Sequence, residues 1–96
     1  MFEWDARKAA TNVRRHGVPF SEAATVFADP DALDGPDLKH SVQEHRSLRL
    51  GRSLAGRVLI VAYTIRGAGD DEKIRIISAR RASRKERAAY ASGSPD

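Results

Sequence analysis

Residues 57–80 read RVLIVAYTIRGAGDDEKIRIISAR. Two apolar runs, Arg57–Arg66 and Glu72–Arg80, flank the link GAGDD at 67–71, which is short enough for a hairpin. RVLIVAYTIR is apolar on both faces, the pattern of a central strand. EKIRIISAR alternates, with Ile74 and Ile76 set against Lys73 and Arg75. Upstream, Glu44–Arg52 (EHRSLRLGR) alternates too, with Leu48 and Leu50 on one face, and SLAG at 53–56 supplies the other hairpin link. The middle of the chain is therefore expected to be an antiparallel meander of about three strands.

Outward from the meander the period changes from two to that of a helix. Toward the N-terminus, Phe2 and Trp4 alternate with Glu3 as a short first strand. Asp5 is placed to cap a helix over about Ala6–Arg15, which Gly17 ends. Pro19 opens a second helix whose stripe is Phe20, Ala23, Ala24 and Phe27, and Asp29-Pro30 stops it. Residues 30–40 (PDALDGPDLKH) read as a loop with room for a short strand at Ala32–Asp34. Toward the C-terminus a helix is expected from Ala82 to about Ser92, followed by a frayed SGSPD tail. The 96 residues carry no repeat and read as a single α+β domain over 1–96.

Composition narrows the class. The chain has no cysteine, so neither disulfides nor thiolate metal sites are available. No apolar run approaches the length of a membrane helix, and the start MFEWDARK lacks the pattern of a secretory signal, so a cytoplasmic protein is expected. Charge is uneven. Residues 1–40 carry five Lys/Arg against seven Asp/Glu, whereas residues 41–96 carry twelve against six. A basic half of this kind either solvates a small domain or meets a polyanion.

Strand parity selects the candidate site. Glu44 and Arg46 share the alternation of Leu48 and Leu50, and Arg80 shares that of Ile74 and Ile76. Charged groups on apolar faces are costly unless paired or wet. A tight SLAG turn would set Glu44 near Tyr63, gathering Glu44, Arg46, Tyr63 and Arg80 in one concavity. Such residues suit metal-free RNA cleavage: a carboxylate or imidazole takes the ribose 2′-OH proton, arginines hold the phosphate, and a tyrosine assists the leaving oxygen. The plainer reading is a salt-bridge network closing one end of the sheet. Arg66 and Arg75 read as exposed strand residues, and Arg81, Arg84, Lys85 and Arg87 as a solvated helix face with Glu86 as ion-pair partner.

Of the three histidines, His16 sits at a helix end, where an imidazole favours the dipole. His40 and His45 are five apart with no third ligand nearby, so no metal site is expected, and His40 is the better catalytic candidate. The sequence holds no GxGxxG, Walker or GxSxG motif, and no cofactor is expected.

Four stretches in order, FEWDARKAATNVRRHGVPFSEAATVF, DLKHSVQEHRSLRLG, RVLIVAYTIRG and IRIISARRASRKERAAY, resemble the BrnT family of type II toxins over Phe2–Tyr90. The family's WD-x-x-K start matches Trp4, Asp5 and Lys8, and N-x-x-x-HG matches Asn12, His16 and Gly17. H-x-x-x-E-x-R matches His40, Glu44 and Arg46, and IISAR-x-A matches Ile76 to Arg80 and Ala82, followed by Glu86 and Tyr90. Where many relatives carry His, this chain has Tyr63, which can donate a proton but cannot act as a near-neutral base.

The resemblance implies a RelE-like fold and a metal-independent endoribonuclease that arrests growth. It implies catalytic roles for His40, Glu44, Arg46, Tyr63 and Arg80, with RNA phosphates met by Arg66, Arg75, Arg81, Arg84 and Lys85. It also implies a BrnA-like ribbon-helix-helix antitoxin that binds DNA, in a heterotetramer or larger complex that represses its own operon. The other reading is a non-catalytic basic module that binds nucleic acid or protein and acts only in that autoregulation.

Overall fold

The local signals at the N-terminus act as their chemistry dictates. The Asp5 carboxylate accepts from the backbone N–H groups of Arg7 (2.8 Å) and Lys8 (3.1 Å), capping α1 (Ala6–His16). Gly17 ends α1 in the left-handed region at φ 69°, where a side chain would be strained. Pro19 caps α2 (Phe20–Thr25), which runs on into a 3-10 turn at Val26–Ala28. The structure, a computed structural model, describes residues 1–39 and 45–93.

Among the described residues five strands make one mixed sheet in the order β1-β5-β4-β3-β2: β1 (Phe2–Glu3), β2 (Leu33–Pro36), β3 (Ser47–Arg52), β4 (Val58–Arg66) and β5 (Lys73–Arg81). The expected meander is β3-β4-β5, with β4, apolar on both faces, at its centre. Two strands extend it. The expected short strand is β2, beginning at Leu33 and antiparallel to β3. β1 pairs in parallel with β5, Phe2 opposite Ile74 and Glu3 opposite Arg75, a pairing that alternation within one strand cannot reveal. The turn between β4 and β5 needs Gly67, at φ 82°, because a Cβ there would come within 2.5 Å of the Asp71 carbonyl. The last helix, α3 (Arg84–Ser92), starts two residues later than expected because Ser83 and Glu86 form a capping box.

One β-bulge corrects the parity reading. Between Ala62 and Tyr63 the β4–β5 register slips, so that Ala62 faces Ser78 while Tyr63 faces Ile76, and Ile77 is the extra residue. Past it the faces of β5 exchange. Ile76 and Ala79 are both buried under α1 and α2 with Val18, Phe20, Leu59 and Val61. Arg80, opposite Ile60, lies on the other face of the sheet from Ile76, not on the same one.

Among the described residues the outer edge of β5 has no strand partner beyond Arg75, since β1 reaches only Ile74 and Arg75. Asn12, 5% exposed, takes that place. Its side-chain amide donates to the Ala79 carbonyl (2.8 Å) and accepts from the Ala79 N–H (3.1 Å), and it donates again to the Val18 carbonyl (2.9 Å). The amide thus mimics a strand at one residue and ties α1 to β5.

Candidate active site

The second face of the sheet carries Leu48, Leu50, Ile60 and Ala62. α3 covers part of it through Ala89 and Glu86. The remainder opens into a cleft of about 650 Å³. Leu48, Ile60 and Ala62 form its floor, and the rim carries His16 from the end of α1, Lys39, Arg46 and Arg80. Asp37 also lines it and is only 7% exposed. The backbone sets these positions: the Asp37 N–H donates to the Arg46 carbonyl (3.0 Å), and the Thr64 hydroxyl donates to the His45 carbonyl (2.6 Å). The two ends of the segment between β2 and β3 are therefore held at the cleft.

Arg80 is held from several sides. Its guanidinium donates to both Glu86 carboxylate oxygens, at 2.7 and 2.9 Å, and to the Arg81 carbonyl at 3.3 Å. Glu86 Oε1 also accepts from the Ser83 N–H at 2.8 Å. The hydrogen bond from Arg80 pulls the Glu86 carboxyl down to about 2, with the Ser83 N–H adding to it, and Glu86 in turn raises the pKa of Arg80. A helix cap thus fixes a strand arginine at the cleft's rim as a permanent positive charge.

Of the residues expected at the site, the structure brings Arg46 and Arg80 to one cleft. His40 and Glu44 lie outside the described residues; Lys39 and Arg46, described on either side of them, both line the cleft. Tyr63 is on the other face of the sheet. It pairs with Ser47, its ring meets Phe27 edge-on at 4.9 Å, and its hydroxyl donates to Asp34 (2.7 Å). Burial first, and Asp34 next, push the tyrosine pKa up. Arg49 completes that knot, donating to both Asp34 oxygens at 2.9 Å and lying 4.6 Å over the Phe27 ring.

The expected phosphate contacts divide. Arg75 donates to Glu3 (2.9 Å), and Arg66 lies 3.9 Å from the same carboxylate, so both are engaged at the β1 end of the sheet. Arg84 and Lys85 are exposed in the first turn of α3. Arg81 points away from Arg80, into a hollow shared with Arg52, Arg57 and Arg87. His16, Lys39 and Asp37 were not singled out for the site by sequence reasoning. His16 had a sufficient explanation as a helix end, and the other two lay in an acidic loop without a period. Among the described residues no cluster of three or more His, Asp and Glu side chains could hold a metal ion.

A family model described as ribonuclease toxin, BrnT, of type II toxin–antitoxin system matches residues 4–86, from Trp4 through the Glu86 that clamps Arg80. Among solved structures, the 1.1 Å crystal structure of the Brucella abortus ribonuclease toxin BrnT is similar with a TM-score of 0.62. The identity is 23%, over 88% of this chain and 99% of that one, a likeness of fold. No curated protein matches the chain.

Proposed function

This chain belongs to the BrnT family of ribonuclease toxins of type II toxin–antitoxin systems, and we propose that it cleaves RNA at the cleft between Arg46 and Arg80 without a metal ion. In the proposed reaction the ribose 2′-oxygen attacks the adjacent phosphorus as His40 or Glu44 takes its proton. The P–O5′ bond breaks, the 5′-oxygen gains a proton, and the products are a 2′,3′-cyclic phosphate and a 5′-hydroxyl. Arg46 and Arg80 neutralise the charge that builds on the phosphoryl oxygens. Leu48, Ile60 and Ala62 lay an apolar floor beside them.

The observation that carries this reading is the pairing of Arg46 with a pre-set Arg80 across that floor. Arg80 is held by Glu86 before substrate arrives, so little ordering is left for the transition state. Tyr63, at the Asp34–Arg49 knot, supports the strand that leads into the cleft, and proton donation to the 5′-oxygen falls instead to His16 or solvent at the rim. Arg81, Arg84 and Lys85 support neighbouring phosphates or a partner segment, whereas Arg66 and Arg75 first hold β1 through Glu3.

The same reading gives the protein a RelE-like layout, a cytoplasmic setting and a BrnA-like ribbon-helix-helix antitoxin. The antitoxin lays an acidic or amphipathic segment on the basic surface and carries DNA binding for a heterotetrameric or larger complex. Among the described residues no helix is long and apolar enough to cross a membrane. Purified chain freed of antitoxin is expected to cleave RNA in EDTA. Arg80→Ala is expected to lower the rate about 100-fold or more, the scale of losing one preorganised transition-state donor. Full activity of that variant removes Arg80 from the mechanism, and loss of cleavage in EDTA restored by a divalent ion overturns metal independence.

A further inference from the structure

Beside the cleft, along the outer edge of β5, lies a second hollow of about 270 Å³. Arg7, Lys8, Thr11 and Arg15 of α1 line one wall, and Ile77 and Ser78 of β5 line the other. His16, Ile77 and Ser78 border both hollows, so the two are continuous. The unpaired edge of β5 makes this possible. Asn12 holds α1 against Ala79 alone, and the bulge at Ile77 turns Ser78 outward.

The cations along this wall differ from the five arginines that brace the sheet. Arg49, Arg57, Arg66, Arg75 and Arg80 each face a carboxylate. Arg7, Lys8 and Arg15 are exposed and form no ion pair among the described residues. From residue 7 to residue 16 an α-helix advances about 13 Å at 1.5 Å per residue. That is several times the roughly 3.4 Å per nucleotide of a stacked strand, so the wall can follow a backbone and not just one phosphate.

We propose that this wall is an RNA-binding surface beyond the cleft: a single strand whose scissile phosphate sits between Arg46 and Arg80 runs past His16 and lays its backbone along Arg7, Lys8 and Arg15. The surface rests on the reading of the cleft as the cleavage site, and its role is affinity for extended substrate, not chemistry. The ligand is a single-stranded polyribonucleotide held mainly by phosphate charge, with Ser78 as a hydrogen-bonding group beside the cations.

The test uses a 2′-O-methyl oligonucleotide, which lacks the attacking hydroxyl and stays intact. Its affinity is measured against salt for the wild-type chain, for the double variant Arg7→Gln/Arg15→Gln, and for Arg14→Gln. Arg14 lies on α1 outside the hollow, bonded to Thr11. The double variant is expected to flatten the slope of log K against log salt by about 1.4, at roughly 0.7 per lost single-strand phosphate contact. It is also expected to raise KM for long RNA severalfold with kcat unchanged, and to leave dinucleotide cleavage at the wild-type rate. That last result shows that the fold and cleft are intact. An unchanged slope overturns the proposal, and so does an equal effect of Arg14→Gln, which would mean that any charge on α1 suffices. Failure of the wild-type chain to cleave natural RNA would sink the cleavage reading, while the salt slopes would still decide whether the wall binds RNA.

Discussion

At the scale of single residues the informative pair is Arg80 and Glu86. Glu86 does two jobs with one carboxylate: it closes the capping box of α3 and orients Arg80 over the cleft. Its folded pKa, about 2, lies below its ordinary 4.5. A depressed carboxylate contributes stability that is fully present above about pH 4.5 and is lost as pH falls through about 2. Because the pair is partly solvated, the contribution is on the order of 1 kcal/mol and not the larger figure a full shift would imply. Glu86→Gln is therefore expected to flatten the acid limb of the melting temperature between those values. It should also lower cleavage severalfold at neutral pH, because an uncharged amide holds the guanidinium less well. A variant with wild-type acid stability would show that the pair is ornamental. Tyr63→Phe is the complementary case. It keeps the ring on Phe27 and loses one hydrogen bond to Asp34. Cleavage rate is expected within about threefold of wild type, with stability lowered by about 1 kcal/mol; a loss of 100-fold or more in rate would return Tyr63 to the chemistry.

At the scale of elements the junction of α1 with β5 decides where the site is. Asn12 makes three hydrogen bonds to backbone groups in the interior, and removing it leaves those groups unsatisfied. Asn12→Ala is expected to cost about 2–4 kcal/mol, read as a fall in the urea midpoint without a change in slope. Asn12→Asp is expected to be no better, since a carboxylate would face two carbonyl oxygens. A nearly neutral Asn12→Ala would mean that water replaces the amide and that β5 needs no lateral partner. This junction was also where sequence reading reached its limit. The meander, the Asp5 cap and the Gly17 stop are local, and they stood in the sequence as alternation, a short acceptor and a glycine. The bulge at Ile77 is not local: IRIISAR alternates no differently with or without it, so parity placed Arg80 with Ile76. Asn12 read as one polar position on an amphipathic helix. The Ser83–Glu86 capping box, by contrast, was legible as S-x-x-E and would have started α3 at the observed residue.

At the scale of the whole molecule the cleft is assembled from segments far apart in the chain: His16, the Pro36–Lys39 stretch, Arg46 and Leu48, Ile60 and Ala62, and Ile77–Arg80. No one element can form it. The sheet that carries it is closed by the chain's own beginning, with Met1 accepting from the Ile74 N–H (2.7 Å) and Glu3 bonded to Arg75. The single tryptophan, Trp4, sits at that closure with its ring edge-on to Phe20, 6.0 Å between centroids. Its fluorescence therefore reports the joining of first strand, second helix and core. If site and closure form together, a urea titration should show Trp4 emission, far-UV circular dichroism and RNA cleavage failing at one midpoint, as in an all-or-none transition. The opposing possibility is physical and specific. The cleft's outer wall, Pro36–Lys39, hangs on the short edge strand β2, which the Asp34 knot to Tyr63 and Arg49 ties to the sheet. Release of that edge before the core melts would abolish cleavage at lower urea than the Trp4 signal. The gap between the two midpoints would then measure how much stability the knot adds to the site alone, and Tyr63→Phe should widen it.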